Sequence, residues 1–268
     1  MTDLKTVLKP VSEKHSVKEA VITLFLANPI IKPERFEVLI KDKFKDKFQK
    51  FEKVNQVQFQ FKGNEGGAFE TTPPSILENV GFKFQRFEDG KTVTALQGLN
   101  EPLRNFISYH SLDYLDWDLF FPDFKNVLTE VANFHSEIFV NAFSLHYIDE
   151  FVWDSDEEIE PTHVFNEKSS LLPNEFFSCQ LNNYQLTTVK NDKFKYFDRL
   201  EIQVEDRPKK FITISHNVIH NLNDNFALKN LLESPDLQDM LNHAHLLNKK
   251  TLVSILTKEV CDIIKIKI

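Results

Sequence analysis

The 268-residue chain is long enough to bury a sizeable core without a disulfide or metal staple, and 41% hydrophobic with 27% charged residues argues against bulk disorder. A net charge of −8 argues against nucleic-acid binding by bulk electrostatics, because phosphate contacts need clustered Lys and Arg. All six glycines fall between residues 63 and 98, in neither GxGxxG nor GxxxxGKS/T spacing, which rules against a Rossmann or P-loop nucleotide site.

The 26 phenylalanines, against two Trp and two Met, point to a core built from Phe, Leu, Ile and Val. Cys179 and Cys261 are far apart and match no CxxC pattern, as expected of two buried thiols in a reducing compartment. The first residues, MTDLKTVLKPVSEKHS, lack an apolar stretch followed by small residues, so no secretory signal is expected. VITLFLANPII is the longest apolar run and is too short to span a bilayer. The composition therefore predicts a cytoplasmic protein with no membrane contact and no cofactor.

Residues 17–26, VKEAVITLFL, read as a buried strand ended by Asn28-Pro29. KPERFEVLIKDKFKDKFQKFEK then reads as a helix. Pro33 stands in its first turn, and Phe36, Ile40, Phe44, Phe48 and Phe51 form one apolar stripe opposite a lysine-rich face. NQVQFQFKG alternates as a half-exposed strand with Val57, Phe59 and Phe61 inward. GFKFQRFEDGKTVTALQG is a hairpin turning at Asp89-Gly90. A helix to His135 and a long strand over 138–153 complete the first half.

DSDEEIE, residues 154–160, precedes Pro161 and reads as an acidic linker. Three strands follow, EFFSCQLNNYQLTTV, KYFDRLEIQVE and KKFITISHNVI, the last two joined at Arg207-Pro208. A short helix, DNFALKNLLE, leads to Ser234 as an N-cap with Pro235 at N1, and a closing helix carries an apolar face from Leu237 to Ile263. The predicted fold class is α+β with two subdomains, each a mainly antiparallel sheet covered by long helices. The N-terminal subdomain spans 1–153, the linker 154–161, and a C-terminal three-stranded sheet plus helices 162–268.

Catalytic patterns are sparse. His216 and His220 are four apart at a strand end, and His243 and His245 point to different faces of a helix, so no metal site is expected from them. Asp198 and Glu201 in FDRLEIQVE resemble a metal-dependent nuclease strand, but Gln203 stands where a lysine would stabilise charge on phosphate. Asp113, Asp116 and Asp118 flank Trp117, where Asp116 and Asp118 can equally begin a helix. Tyr114, Trp117, Phe120, Phe121 and Phe124 crowd around Pro122. They either pack under strand 138–153 or leave Trp117, Tyr114, Phe120 and Phe121 as a binding face, since Trp and Tyr often anchor interfaces.

VKEAVITL, the hairpin, YLDWDLF, FSLHYIDEFV and HLLNKKTLVSILT together resemble a sporadically distributed, uncharacterised bacterial protein family. Where that family reads LRYIN, His146 replaces the Arg and Asp149 the Asn, while His245 and Thr257 match a His and a Thr of its last helix. The resemblance implies no established activity; patchy distribution suggests defence-linked loci. The resulting expectation is a non-enzymatic partner-binding protein, a component of a bacterial defence or toxin-control system, with a protein partner or a second copy of itself. A metal-dependent hydrolase or nuclease using Asp198 and Glu201, or the histidines, is the alternative.

Overall fold

A computed structural model describes residues 4–12, 15–58, 61–63, 69–71, 74–178, 184–191, 196–206 and 209–266. After a short helix α1 (Leu4–Val7), the strands are β1 (Leu8–Pro10), β2 (Val17–Leu26), β3 (Lys50–Gln58), β4 (Phe61–Gly63), β5 (Phe69–Thr71), β6 (Ser75–Glu88), β7 (Lys91–Asn100), β8 (Asn105–Ser111), β9 (Phe139–Trp153), β10 (Tyr184–Asn191), β11 (Tyr196–Asp206) and β12 (Lys210–Ala227). The longer helices are α2 (Glu37–Asp42), α3 (Trp117–Phe134), α6 (Leu228–Glu233), α7 (Pro235–Ile255) and α8 (Lys258–Ile263), with α4 (Pro161–Val164) and α5 (Asn174–Ser178) as single turns between β9 and β10.

The α+β class holds, and one large sheet replaces the two expected. Nine strands lie in the order β10-β11-β12-β9-β2-β8-β7-β6-β3, every pairing antiparallel, and β1 adds to β9; β4 and β5 form a small separate ladder. β9 pairs with β2 on one side and with β12 on the other, so the hydrogen-bonded sheet runs across the acidic segment. That segment is tied down: Trp153 Nε1 and Lys210 Nζ both donate to the Glu157 carbonyl, and Ile159 is buried. Among the described residues no helix is long and apolar enough to cross a membrane.

Alternation along β9 puts Phe143, Leu145, Tyr147, Phe151 and Trp153 on the helix-covered face. Two apolar clusters lie on that face. One gathers β2, β6–β9, α2, α3, α6 and the first half of α7; the other gathers the chain start, the ends of β9 and α7, and α8. Their seam falls on β9 between Tyr147 and Phe151.

Local chemistry explains most boundaries. Asp89 and Gly90 both have positive φ, 49° and 76°, as a type I′ hairpin requires. Asp116 caps α3 by accepting from the Leu119 N–H at 2.8 Å. Ser234 caps α7, accepting from Asp236, with Pro235 at N1.

Several predicted elements differ. The long helix through residue 53 stops at Asp42, because Phe51 pairs with Phe84 across β3 and β6, and Phe44 and Phe48 pack on Phe84 through turns. Tertiary pairing overrides the four-residue period. Val57, expected inward, is 51% exposed; Phe59, Cys179 and the Arg207-Pro208 turn lie outside the described residues. Residues 175–178, read as the start of a strand, lie instead in α5 (Asn174–Ser178). β8 has no predicted counterpart, and the closing helix breaks at Leu256, where Thr257 caps α8.

Candidate functional site

Three spacings converge at the seam between the clusters. Tyr147 and Asp149 are two apart on β9 and share its covered face. His245, Asn248, Lys249 and Leu252 follow i, i+3, i+4, i+7 on α7 and share one helical face. Tyr114 and Trp117 come from the segment that enters α3. A register shift between Val17 and Glu19 at the start of β2 brings Ser16 beside Asp149. These residues, with Leu115, Asp116, Asp118 and Ile264–Ile266 at the mouth, line a cavity of about 500 Å³.

Its floor is a buried carboxyl group. Ser16 Oγ donates to Asp149 Oδ1 at 2.6 Å, while Oδ2 has no hydrogen-bond partner among the described residues. Burial raises the Asp149 carboxyl from its ordinary 3.8 to about 6, against the lowering effect of the Ser16 bond. On α7, Asn248 is buried with its Nδ2 likewise unpartnered among the described residues. Buried polar atoms are nearly always hydrogen-bonded, so two on the lining of one cavity are conspicuous.

Tyrosines and a histidine form the side wall. The Tyr147 hydroxyl and His245 Nδ1 share a hydrogen bond of 2.9 Å, and the Tyr114 and Tyr147 hydroxyls share another. Burial holds both phenols above their ordinary value. Burial, helped by the Lys249 charge, lowers His245 from 6.5 to about 4, so the ring is neutral at pH 7. The His245 ring stacks on Trp117 with centroids 4.7 Å apart and planes 8° apart, and Trp117 Nε1 donates to Asn242 Oδ1.

The sequence-predicted aromatic face is therefore mostly core. Tyr114 is 7%, Phe120 5% and Phe121 6% exposed; Trp117 alone is half-buried, held between Phe121 and His245. Asp113 lies outside this cavity, and Asp116 is committed to capping α3.

Asp198 and Glu201 do not meet. Three residues apart on β11, they point to opposite faces of the sheet. Asp198 is buried against His216 Nε2 at 2.7 Å and Lys190 Nζ at 3.1 Å. Burial pulls its carboxyl upward, but the bonds and charges of His216 and Lys190 outweigh it and leave the group below its ordinary value. Glu201 pairs with Arg199 and accepts from Gln185. His216 and His220 both lie on the covered face of β12, where His220 packs on Phe143 and Tyr196. Among the described residues no three His, Cys, Asp or Glu side chains are grouped so as to hold a metal ion.

The opposite face of the sheet carries a second, more open groove of about 530 Å³. Its histidines are engaged, His110 bridging Glu19 and Ser108 and His146 bonding Ser215, while Asn217 Oδ1 is buried with no partner among the described residues.

Of the cavity residues, the sequence singles out Trp117 and Tyr114 for their aromatic crowding. Ser16, Tyr147 and Asn248 were missed, and Asp149 was reached only through the resemblance. A signal existed for two of them. Asp149 interrupts the inward period-two run Leu145, Tyr147, Phe151, Trp153, and Asn248 interrupts the inward run Leu241, Ala244, Leu252, Ile255. Comparison with known protein families, curated proteins and solved structures finds no match in any of the three.

Proposed function

We propose that this chain is a binding protein and that the cavity between β9, α7 and the start of α3 is where it recognises its partner, a small polar molecule. One observation carries the reading. Asp149 and Asn248 are both buried, both line the cavity, and each has a buried polar atom with no partner among the described residues. Leaving such atoms unpaired costs about 1–3 kcal/mol each, a cost a ligand would remove. The lining sets aromatic and apolar side chains such as Tyr114, Trp117 and Leu252 beside polar and charged ones such as Asp149, Asn248 and Lys249, as a site for a small polar molecule requires.

A two-unit reading of the chain fits this placement. The units we propose meet at the cavity within one sheet, with the chain passing between them at 154–161. A defence or toxin-control role rests on the family resemblance alone. The hydrolase or nuclease reading draws no support from Asp198 and Glu201, which lie on opposite faces of β11.

The test is saturation-transfer NMR on the purified chain with a mixture of small polar metabolites. Signals from one or more components are expected, and they should vanish in Asn248→Phe, which fills the cavity. Absence of any transfer with the unaltered chain, or equal transfer in the filled variant, overturns the reading.

A further inference from the structure

Resting on that reading, we infer that the cavity takes a small α-amino acid, with its ammonium group on the Asp149 carboxylate and its carboxylate on the Asn248 amide and Lys249.

Asp149 is fully buried, and its one described partner, Ser16, engages Oδ1. Oδ2 is left as a strong acceptor in a site without water's dielectric, where an ionised group is stable only beside an opposite charge or several donors. Among the described residues none donates to it. The raised carboxyl agrees, since burial without a nearby cation drives it upward. A ligand cation of ammonium size supplies the missing partner in charge-assisted form. Asp116 and Asp118 also line the cavity and, like Asp149, act on Tyr114, adding negative potential around it.

The α7 wall has the opposite character. Asn248 Nδ2 is a buried donor without an acceptor, and Lys249 is its neighbour on the cavity lining. The lysine is close enough to help depress His245, so its positive charge is felt inside. His245 is neutral and bonded to Tyr147, so it brings no competing charge at pH 7. Acceptor on the strand and donor plus cation on the helix match a molecule carrying an ammonium and a carboxylate together. A simple amine would leave Asn248 unpaired; a simple carboxylate would face Asp149.

The experiment is titration calorimetry with the twenty standard L-amino acids singly, followed for each binder by its N-acetyl derivative and by the amine lacking the carboxylate. At least one amino acid should bind in the micromolar to millimolar range. N-acetylation should abolish binding, and loss of the carboxylate should weaken it about tenfold or more. Asp149→Asn should weaken binding about tenfold or more. Lys249→Gln, a second substitution on the α7 wall that tests the carboxylate end independently, should weaken it less and make it less salt-dependent. Equal binding of the N-acetyl derivative or of the bare amine overturns the assignment. So does failure of every amino acid when the NMR mixture shows another ligand in the cavity, and that outcome leaves the binding reading standing. Failure of both experiments removes the two together.

Discussion

The hydroxyl of Tyr147 lies 2.9 Å from Nδ1 of His245, joining the central strand of the sheet to the middle of α7. The same hydroxyl is bonded to Tyr114, so one oxygen links strand, helix and the entry to α3. Tyr147→Phe removes that oxygen, preserves the ring contacts with Tyr114 and His245, and leaves both polar neighbours short of a bond. A loss of about 1–3 kcal/mol is expected from chemical denaturation. A change within error would mean that the linkage does not hold the cavity wall together.

Asp149 and His245 face one cavity and respond to acid with opposite signs. The Asp149 carboxyl rises from 3.8 to about 6 on folding, so in that window the folded chain binds the extra proton and stability falls as pH rises. His245 falls from 6.5 to about 4, so the unfolded chain binds the extra proton and stability rises with pH over nearly the same window. The Tyr114 and Tyr147 phenols, held by burial above their ordinary value, stay protonated throughout. The combined effect of Asp149 and His245 in the unaltered chain is a shallow profile. Asp149→Asn should expose the His245 slope, losing stability as pH falls from 6.5 to 4, and should be more stable than the unaltered chain at neutral pH by up to about 3 kcal/mol. His245→Gln should show the reverse slope. Denaturation curves of the three proteins across this range decide it; parallel curves would refute the opposed titrations.

Trp117 is held rather than offered. Its ring lies between Phe121 and His245, and its indole N–H is satisfied by Asn242. Trp117→Ala should cost about 2–4 kcal/mol, somewhat below a fully buried Trp. Trp117→Phe keeps the stack and should cost about 1 kcal/mol for the lost bond. An unchanged melting temperature for Trp117→Ala would instead mark the ring as a surface anchor.

What the sequence disclosed follows the range of the forces involved. Caps and the hairpin were legible because Asp116, Ser234 and Asp89-Gly90 act on backbone groups within three residues of themselves. The stripe Phe36 to Phe51 misled because four-residue spacing on a helix and an aromatic cluster around Phe84 demand the same residues; only the pairing of β3 with β6 decides between them. β8 was missed since NFISYHS is short, with a serine and a histidine on its open face bonded to each other rather than to a core. The single sheet could not be read locally either. The joining contact pairs Phe143 with His220 and Trp153 with Lys210, far apart in sequence.

Gly98 tests the packing of the first cluster. A Cβ there would come within 2.5 Å of the Phe82 ring and 2.7 Å of Ile30 Cδ1, and Gly98 is paired directly with Phe82 across β6 and β7. The absent side chain makes room for a fully buried ring. Gly98→Ala should therefore destabilise by about 1–3 kcal/mol despite the better strand propensity of alanine. Gly98→Ala combined with Phe82→Leu should recover part of the loss, and if the double substitution costs the sum of the two singles, the ring is not what Gly98 accommodates.

The Asp198–His216 pair separates a structural role from a catalytic one. His216 is fully buried and Asp198 is 3% exposed, so removing the imidazole leaves a carboxylate inside the fold with only Lys190 to compensate. His216→Ala should cost about 3–5 kcal/mol. Because Asp198 is held below its ordinary value, its contribution is present above the unfolded value and is lost as pH falls through the folded one. That acid-limb loss should shrink in His216→Ala, where the main stabilising bond to the carboxylate is gone. Glu201, on the other face with Arg199 and Gln185, should tolerate Ala within about 0.5 kcal/mol. Were the two carboxylates instead a metal-dependent site, Glu201→Ala would abolish a measurable cleavage of DNA or RNA in the presence of magnesium or manganese. Detecting such cleavage in the unaltered chain, and losing it in Glu201→Ala while stability holds, would overturn the structural assignment of Asp198.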